Sequence, residues 1–238
     1  MADGDAPVKS KNADLPVRVA SAVVMLSVAG IAFWLGGLWL DLFIAAVALA
    51  TFVEFARLVA RIDWSAATRM AAWIAGAVYI GIAALLLIRM SSVETVLLVV
   101  GAVVCVDTFA YFFGRTLGGP KIAPRISPSK TWAGLLGGIV GATIALVVWT
   151  RFASANATIS YRPLIEYAAL VVPAMAIAVV AQAGDFFESW LKRRAGVKDS
   201  STLIPGHGGV FDRTDGLLPV AILIGTALMF VAPHWIAG

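Results

Sequence analysis

The stretch VETVLLVVGAVVCVDTFAYFF, residues 93–113, is long and apolar enough to cross a lipid bilayer as a single helix. Its apolar residues follow one another without alternation, which favours a helix over a strand of a membrane barrel. Six similar runs flank it in the sequence, at residues 17–36, 38–58, 70–88, 133–150, 164–184 and 216–236. The predicted fold class is therefore an all-α, polytopic membrane protein with about seven transmembrane helices.

The composition agrees with a protein that is surrounded by lipid. Of the 238 residues, 61% are hydrophobic and 13% are charged, whereas a soluble domain carries about 25% charged residues. So few charges cannot cover a water-facing surface, which excludes a soluble globular domain and a disordered chain. A single cysteine, Cys105, excludes a disulfide scaffold.

The positive charges predict how the helices are oriented. All but three of the 18 lysine and arginine residues fall on the side of the membrane that holds the N-terminus, and the exceptions are Arg89, Arg151 and Arg162. Because cytoplasmic loops carry the excess of lysine and arginine, this side is predicted to be the cytoplasm. The polar segments 114–132 and 185–215 then both face the cytoplasm, and the formal net charge of +4 implies no nucleic-acid partner.

Asp107 lies inside the fourth span, with Tyr111 one helical turn later and Arg115 a further turn on. A carboxylate at that depth is costly and by default indicates a functional site. The alternative is a structural ion pair near the membrane interface. The three residues are therefore candidates for a polar site at the inner end of this helix.

The segment 127–131, Ser-Pro-Ser-Lys-Thr, precedes the fifth span and is predicted to open its helix. A helix N-terminus beside a lysine is a natural anion site. This makes Ser127, Lys130 and Thr131 candidate ligands of a phosphate group. Helix capping explains the serine and the threonine equally well.

The strongest polar pattern lies at the end of the sixth span. Asp185, Glu188, Ser189 and Lys192 are spaced i, i+3, i+4 and i+7, so they share one face of a helix. The alternative is a solvated helix end with ordinary charge pairs. The following loop adds alternating charges and a glycine-flanked histidine, in Lys198-Asp199, Pro205-Gly206-His207-Gly208-Gly209 and Asp212-Arg213-Thr214-Asp215. Carboxylates for a hard cation and basic groups for phosphate are what phosphoryl chemistry requires.

Residues 189–215 resemble the signature of the phosphatidate cytidylyltransferases, also called CDP-diacylglycerol synthases. The shared pattern runs Ser-x-hydrophobic-Lys-Arg, Lys-Asp-x-Ser, Ile-Pro-x-His-Gly-Gly and Asp-Arg-x-Asp. The upstream elements Asp107-Thr108 and Ser127-Pro128-x-Lys130-Thr131 also resemble that family, so the resemblance covers roughly 105–219. One position departs from it, because Ala133 stands where members usually have a glutamate.

The resemblance implies Mg²⁺-dependent, in-line transfer of CMP from CTP to phosphatidate, which yields CDP-diacylglycerol and diphosphate in phospholipid biosynthesis. It implies a multi-pass protein of the cell inner membrane, with phosphatidate in the inner leaflet, a second cation as an option, and a homodimer. Segment 93–238 is then the catalytic transmembrane domain, 15–92 the N-terminal helices and 1–14 a disordered cytoplasmic tail. The glycine-rich stretch 134–141 allows close packing of helices.

On this resemblance, residues of the polar segments receive candidate roles. Asp185 and Asp212 are the predicted metal ligands, with Glu188 as a further ligand. Asp215 is either a further ligand or a residue that orients Arg213. The predicted catalytic residues are Asp185, Ser189, Lys192, Asp212 and Arg213. Substrate binding is predicted for Asp107, Tyr111, Arg115, Ser127, Lys130, Thr131, Arg193, Lys198, Asp199, His207, Gly208 and Gly209. His207 either donates to a phosphate or closes its own loop.

Two other functions are alternatives. A CTP-dependent kinase of a polyprenol-type lipid would transfer the γ-phosphoryl group instead of CMP. An ion-coupled transporter would suit the intramembrane Asp107, but the acids gather at one membrane face and the sequence has no inverted repeat. Two further features are interpreted as structural: Glu54 and Arg57 as an interfacial ion pair, and Pro173 as a kink in the sixth span.

Overall fold

The computed structural model of the chain describes residues 15–90, 92–155 and 167–231. Its helices are α1 (Leu15–Leu35), α2 (Gly37–Arg61), α3 (Ala66–Arg89), α4 (Val93–Thr116), α5 (Trp132–Ala155), α6 (Val171–Arg194), α7 (Phe211–Thr214) and α8 (Leu217–Val231). Two short strands, β1 (Lys121–Ala123) and β2 (Ser127–Thr131), lie between α4 and α5. The predicted tail 1–14, the start of the predicted span 164–184 and the end of the span 216–236 lie outside the described residues.

Within these residues, six helices are long and apolar enough to cross a membrane, and a shorter apolar helix follows over Leu217–Phe230. This confirms the helical, polytopic class; the seventh span and the orientation stay predictions. The sixth helix begins and ends later than its predicted span, so Asp185 and Glu188 lie within the helix. Pro173 lies in the first turn of α6, where its missing N–H removes no helical hydrogen bond, and the predicted kink loses its physical basis.

Glycine and serine residues determine where several of the apolar helices end and begin. Gly36 and Gly37 both adopt positive φ, which lets α1 and α2 meet with almost no loop between them. Ser65 and Ser92 cap α3 and α4 by accepting hydrogen bonds from the backbone N–H groups three residues later, each at 3.2 Å. The helix boundaries therefore follow from local sequence.

The segment 127–131 is a strand, which corrects the prediction that it opens the fifth helix. It pairs antiparallel with β1, with Lys121 opposite Thr131 and Ala123 opposite Ser127. The helix α5 begins one residue after the strand, and the Thr131 hydroxyl accepts the N–H of Gly134 at 3.0 Å. The capping role was predicted correctly, but the hairpin that precedes it was not.

Helices α4 and α5 pack closely against each other through glycines of α5. A Cβ atom at Gly137 would lie 2.5 Å from the carbonyl oxygen of Phe109 and 2.6 Å from Cβ of Phe113. A Cβ at Gly134 would lie 3.1 Å from the carbonyl oxygen of Ala110. The close packing expected of the stretch 134–141 is thus used inside the chain, where it holds α5 against α4.

Replacing Gly137 with alanine should lower the stability of the protein by about 1–3 kcal/mol, because the backbone carbonyl of Phe109 cannot move aside. Gly101 on α4 is the matched control, since a Cβ there meets nothing within 4 Å. Thermal unfolding in detergent should show a lower midpoint for G137A and an unchanged or higher one for G101A. Equal midpoints for the two variants would contradict the packing described here.

Candidate active site

A cavity of about 760 Å³ opens between α4, the hairpin, α6 and the α7–α8 junction. Many residues predicted from sequence meet in its wall, although they come from separate segments of the chain. They are Asp107, Tyr111, Arg115, Ser127, Lys130, Thr131, Asp185, Glu188, Ser189, Lys192, Asp212 and Asp215. The fold therefore assembles one mixed acidic and basic site from the polar segments.

Each helical wall of the cavity is built by residues one turn apart. On α4, the guanidinium of Arg115 donates to the Tyr111 hydroxyl and lies 5.8 Å from the centre of that ring. On α6, the predicted face from Asp185 to Lys192 lines the opposite wall. The spacing read from the sequence thus identified both walls.

The hairpin brings Lys130 across to α6, where its ammonium pairs with the Asp185 carboxylate. Burial alone would lower the pKa of Lys130, but the charge of Asp185 and their hydrogen bond outweigh it and raise that pKa. Lys130 is consequently a permanent cation inside the cavity. Lys130 thus connects the segment 127–131 with the Asp185 face of α6, two candidate sites that were predicted separately.

The four predicted metal ligands fall into two carboxyl pairs. Asp215 lies close enough to Asp185 for the charge of one to disfavour that of the other, and Glu188 and Asp212 meet at Lys192. The ammonium of Lys192 lies 2.6 Å from Oε2 of Glu188 and 2.7 Å from Oδ1 of Asp212. Asp185 and Asp212 line the same cavity, but Asp185 pairs with Lys130 and Asp212 pairs with Lys192.

The pKa values of Asp212 and Asp215, which lie outside the membrane-spanning helices, are shifted in opposite directions. Burial, followed by the charge of Asp185, raises the pKa of Asp215. Burial also disfavours the charge of Asp212, but hydrogen bonds from Glu188, Lys192, Gly209 and Ser200 hold its pKa below the usual value. The carboxyl group of Asp212 is thus stabilised as an anion, whereas burial and the charge of Asp185 disfavour the anion of Asp215.

The acids suit a hard divalent cation that also binds the substrate. In the described ranges no three His, Cys, Asp or Glu side chains meet closely enough to hold a metal by themselves. Mg²⁺ commonly takes only one or two carboxylates and completes its shell with water and phosphate oxygens. Oε1 of Glu188 is buried without a hydrogen-bond partner among the described residues. An oxygen of this kind, beside paired carboxyl groups, fits a cation ligand.

The loop that carries the glycine-flanked histidine is organised by Glu54 of α2, which is 2% exposed. One carboxylate oxygen, Oε1, accepts from the Ser201 hydroxyl at 2.6 Å and the N–H of Val210 at 3.1 Å. The other, Oε2, accepts from the Ser200 hydroxyl and the N–H of Phe211, both at 2.8 Å. The prediction that Glu54 forms an interfacial ion pair with Arg57 was wrong.

Asp212 is held by the same loop from the other side. Its Oδ2 accepts the N–H groups of Ser200 at 3.0 Å and Gly209 at 2.8 Å. Gly208, at φ 83°, lies against this carboxylate, where an added Cβ would be 2.7 Å from Oδ2. Gly208 and Gly209 therefore position Asp212 and do not line the cavity within the described structure.

Other predicted ligands of the nucleotide also lie away from the cavity. Nδ1 of His207 lies 2.9 Å from the Ser21 hydroxyl of α1, and Arg213 donates to the carbonyl oxygen of His207 at 2.7 Å. Of the two roles left open for His207, these contacts match loop closure. Residues outside the wall of the described cavity are Arg193, Lys198, Asp199, His207, Gly208, Gly209 and Arg213.

Sequence reasoning missed several residues of the site. Lys121 and Ser129 of the hairpin and Gln182 of α6 line the cavity. Gln182 could have been predicted from the sequence, since it is a polar residue three positions before Asp185 on the same helical face. The place of Lys121 in the cavity follows from the pairing of β1 with β2.

Comparison with known proteins identifies the kind of chain that carries this site. The sequence model of the "Cytidylyltransferase family" matches residues 60–231. A phosphatidate cytidylyltransferase of Brucella melitensis is 33% identical over 89% of this chain and 92% of its own length. A phosphatidate cytidylyltransferase of Haemophilus influenzae is 45% identical over 47% of this chain and 37% of its own length.

Proposed function

Since the chain belongs to the cytidylyltransferase family, we propose that it converts CTP and phosphatidate into CDP-diacylglycerol and diphosphate. The observation that carries this proposal is the mixed cavity beside the membrane-spanning helices. It presents Arg115, Lys121, Lys130 and Lys192 for phosphate groups. It also presents paired carboxyl groups, which a lipid-only binding site does not need.

The chemistry requires no general base from the protein. A phosphate monoester has a second pKa of about 6, so the phosphatidate headgroup is mostly a dianion at neutral pH. One of its oxygens attacks the α-phosphorus of CTP, and the bond from that phosphorus to the bridging oxygen of the β-phosphate breaks. Diphosphate leaves with the electron pair. The protein must align two anions and stabilise the departing charge.

The basic residues of the cavity wall serve that alignment. Lys130 is a cation next to Asp185, and Lys192 lies between Glu188 and Asp212. These ammonium groups offset the repulsion between the two substrates. Since Arg193, Lys198 and Arg213 lie outside the described cavity wall, the triphosphate role falls to Arg115, Lys121 and Lys192.

A divalent cation belongs to this proposal. Asp185, Asp215, Glu188 and Asp212 are the residues that would hold it, and Mg²⁺ would supply positive charge for the phosphate oxygens. The raised pKa of Asp215 supports this assignment, because burial and then the neighbouring charge of Asp185 disfavour its carboxylate, and a bound cation would offset both effects. A second cation fits the presence of two carboxyl pairs.

The proposal includes the surroundings of the reaction. The apolar helices make the chain a membrane protein. We infer the cell inner membrane as its location, with CTP reaching the cavity from the cytoplasm and phosphatidate from the inner leaflet, on the strength of the charge asymmetry. A homodimer is inferred from the family resemblance.

Transfer of CMP to phosphatidate and the alternative reaction, a CTP-dependent lipid kinase, are distinguished by which product carries the label. Purified protein in detergent with phosphatidate and α-labelled CTP should move the label into the lipid fraction, and only when Mg²⁺ is present. With γ-labelled CTP the label should leave as diphosphate. A lipid kinase, supplied with a polyprenol-type lipid alcohol in place of phosphatidate, would give the reverse pattern, with α-labelled CDP in water and γ-label in the lipid. Phosphatidylcholine, which lacks the monoester, is the matched control acceptor.

A further inference from the structure

Gln182 is a polar residue of the cavity with an unused hydrogen-bond donor. Its side chain lies in the cavity wall and is 5% exposed. Its amide nitrogen finds no acceptor in the described part of the chain. A buried amide without a partner costs about 1–3 kcal/mol, so this nitrogen requires either a ligand or water.

The position of Gln182 along α6 indicates which ligand it meets. It is ten residues before Lys192, which corresponds to about 15 Å at about 1.5 Å per residue. The basic end of the cavity, with Lys192 and Arg115, lies toward the end of α6 and α4 that carries the polar loops. Gln182 and Asp107 lie toward the membrane core. The lipid substrate is tethered there by its acyl chains, whereas CTP enters from water.

We propose that Gln182 binds phosphatidate by donating its amide hydrogen to a phosphoryl oxygen of the lipid headgroup. The inference rests on the proposed function and adds a residue that binds the lipid substrate rather than the nucleotide. Gln182 precedes Asp185 by one turn on the same face, and Asp185 holds Lys130. The headgroup thus meets a neutral donor at the membrane side and an ammonium toward the loops.

A neutral donor suits this depth for an electrostatic reason. A lysine or arginine at this position would carry the cost of placing a further charge toward the membrane core. An amide has no charge to neutralise, so it stays available beside the carboxylates.

The test is a Gln182→Met variant, which keeps the length of the side chain and removes the donor. The KM for phosphatidate should rise about tenfold, the value expected for one lost hydrogen bond to a substrate, while the KM for CTP stays within about twofold. Thr143→Val on α5 is the matched control: its hydroxyl bonds to the Ile139 carbonyl, away from the cavity wall. It should leave both KM values unchanged.

Binding is measured separately from turnover. Phosphatidate added to detergent-solubilised wild-type protein should raise the thermal midpoint more than phosphatidylcholine does, and Q182M should lose most of this difference. If Q182M does not fold, Gln182→Asn, which shortens the arm by one carbon, takes its place with the same expected KM change.

The outcomes distinguish failure of the proposed role of Gln182 from failure of the proposed function. An unchanged KM for phosphatidate in an active variant, or a KM rise shared equally by CTP, overturns the role of Gln182 alone. A wild-type protein that forms no CDP-lipid overturns the proposed function. In that case the binding measurement still decides whether Gln182 recognises a lipid phosphate.

Discussion

Replacing Asp185 with asparagine should reduce CDP-diacylglycerol formation by at least about a hundredfold, the scale of loss when one charge-stabilising group is removed from a reacting site. The amide keeps the shape of the side chain but loses the charge that pairs with Lys130. It also loses one of the carboxyl groups proposed to hold Mg²⁺. The protein should remain folded, because no backbone N–H donates to the Asp185 carboxylate in the described structure.

Replacing Asp212 with asparagine should also reduce CDP-diacylglycerol formation strongly, for two reasons that can be measured separately. Asp212 is a proposed metal ligand, and its carboxylate also accepts the N–H groups of Ser200 and Gly209. Asp212→Asn should therefore lower the thermal midpoint in addition, whereas Asp185→Asn should not.

Asp63 is the matched control for both aspartates, since it is an exposed residue of the loop between α2 and α3. Asp63→Asn should keep wild-type activity. Rates of CDP-lipid formation and Mn²⁺ binding followed by electron paramagnetic resonance provide the two readouts. A fully active Asp185→Asn protein would remove Asp185 from the proposed cation site.

The features that were predicted correctly are those encoded by spacing along one helix. Asp185, Glu188, Ser189 and Lys192 had to share a face because of the helical repeat, and they line one wall of the cavity. Hydropathy similarly predicted the six long apolar helices of the described residues, since a helix in lipid needs a long apolar run. Neither inference depends on contacts between distant parts of the chain.

The features that sequence reasoning missed depend on long-range contacts. Glu54 contacts residues 146 to 157 positions away, and local spacing offered only Arg57 as its partner. Lys121 reaches the cavity only because a hairpin forms where a helix start was expected. His207 and Arg213 belong to a motif that matched the family, but their side chains hold the loop instead of lining the described cavity. A motif identifies a site without stating which of its residues touch the substrate.

The contact between Glu54 and the active-site loop has a geometric consequence for Asp212. The Ser200 hydroxyl lies 2.8 Å from Oε2 of Glu54 and 3.0 Å from Oδ2 of Asp212. It has a single hydrogen, so it donates to one carboxylate at a time. Glu54 also fixes the N–H groups of Val210 and Phe211, which immediately precede Asp212. Glu54 thus positions Asp212 without lining the described cavity.

Replacing Glu54 with glutamine should reduce the turnover rate about ten- to a hundredfold and lower stability by about 1–3 kcal/mol. Each carboxylate oxygen receives one hydroxyl and one backbone N–H. In either orientation of the glutamine amide, its NH₂ group faces a backbone donor that cannot turn away. The hydroxyls can rotate, but that N–H is left buried and unpaired.

Glu94 is the matched control for this change, because it is an exposed glutamate in the first turn of α4 at the opposite end of that helix from Arg115. Glu94→Gln should retain wild-type turnover and thermal midpoint. Glu54→Gln should lower turnover more than it raises the KM for phosphatidate, because the lipid does not contact Glu54 directly. Wild-type turnover in Glu54→Gln would mean that the loop holds Asp212 without α2. A rise confined to the KM for phosphatidate would instead place Glu54 in contact with the lipid, which its burial opposes.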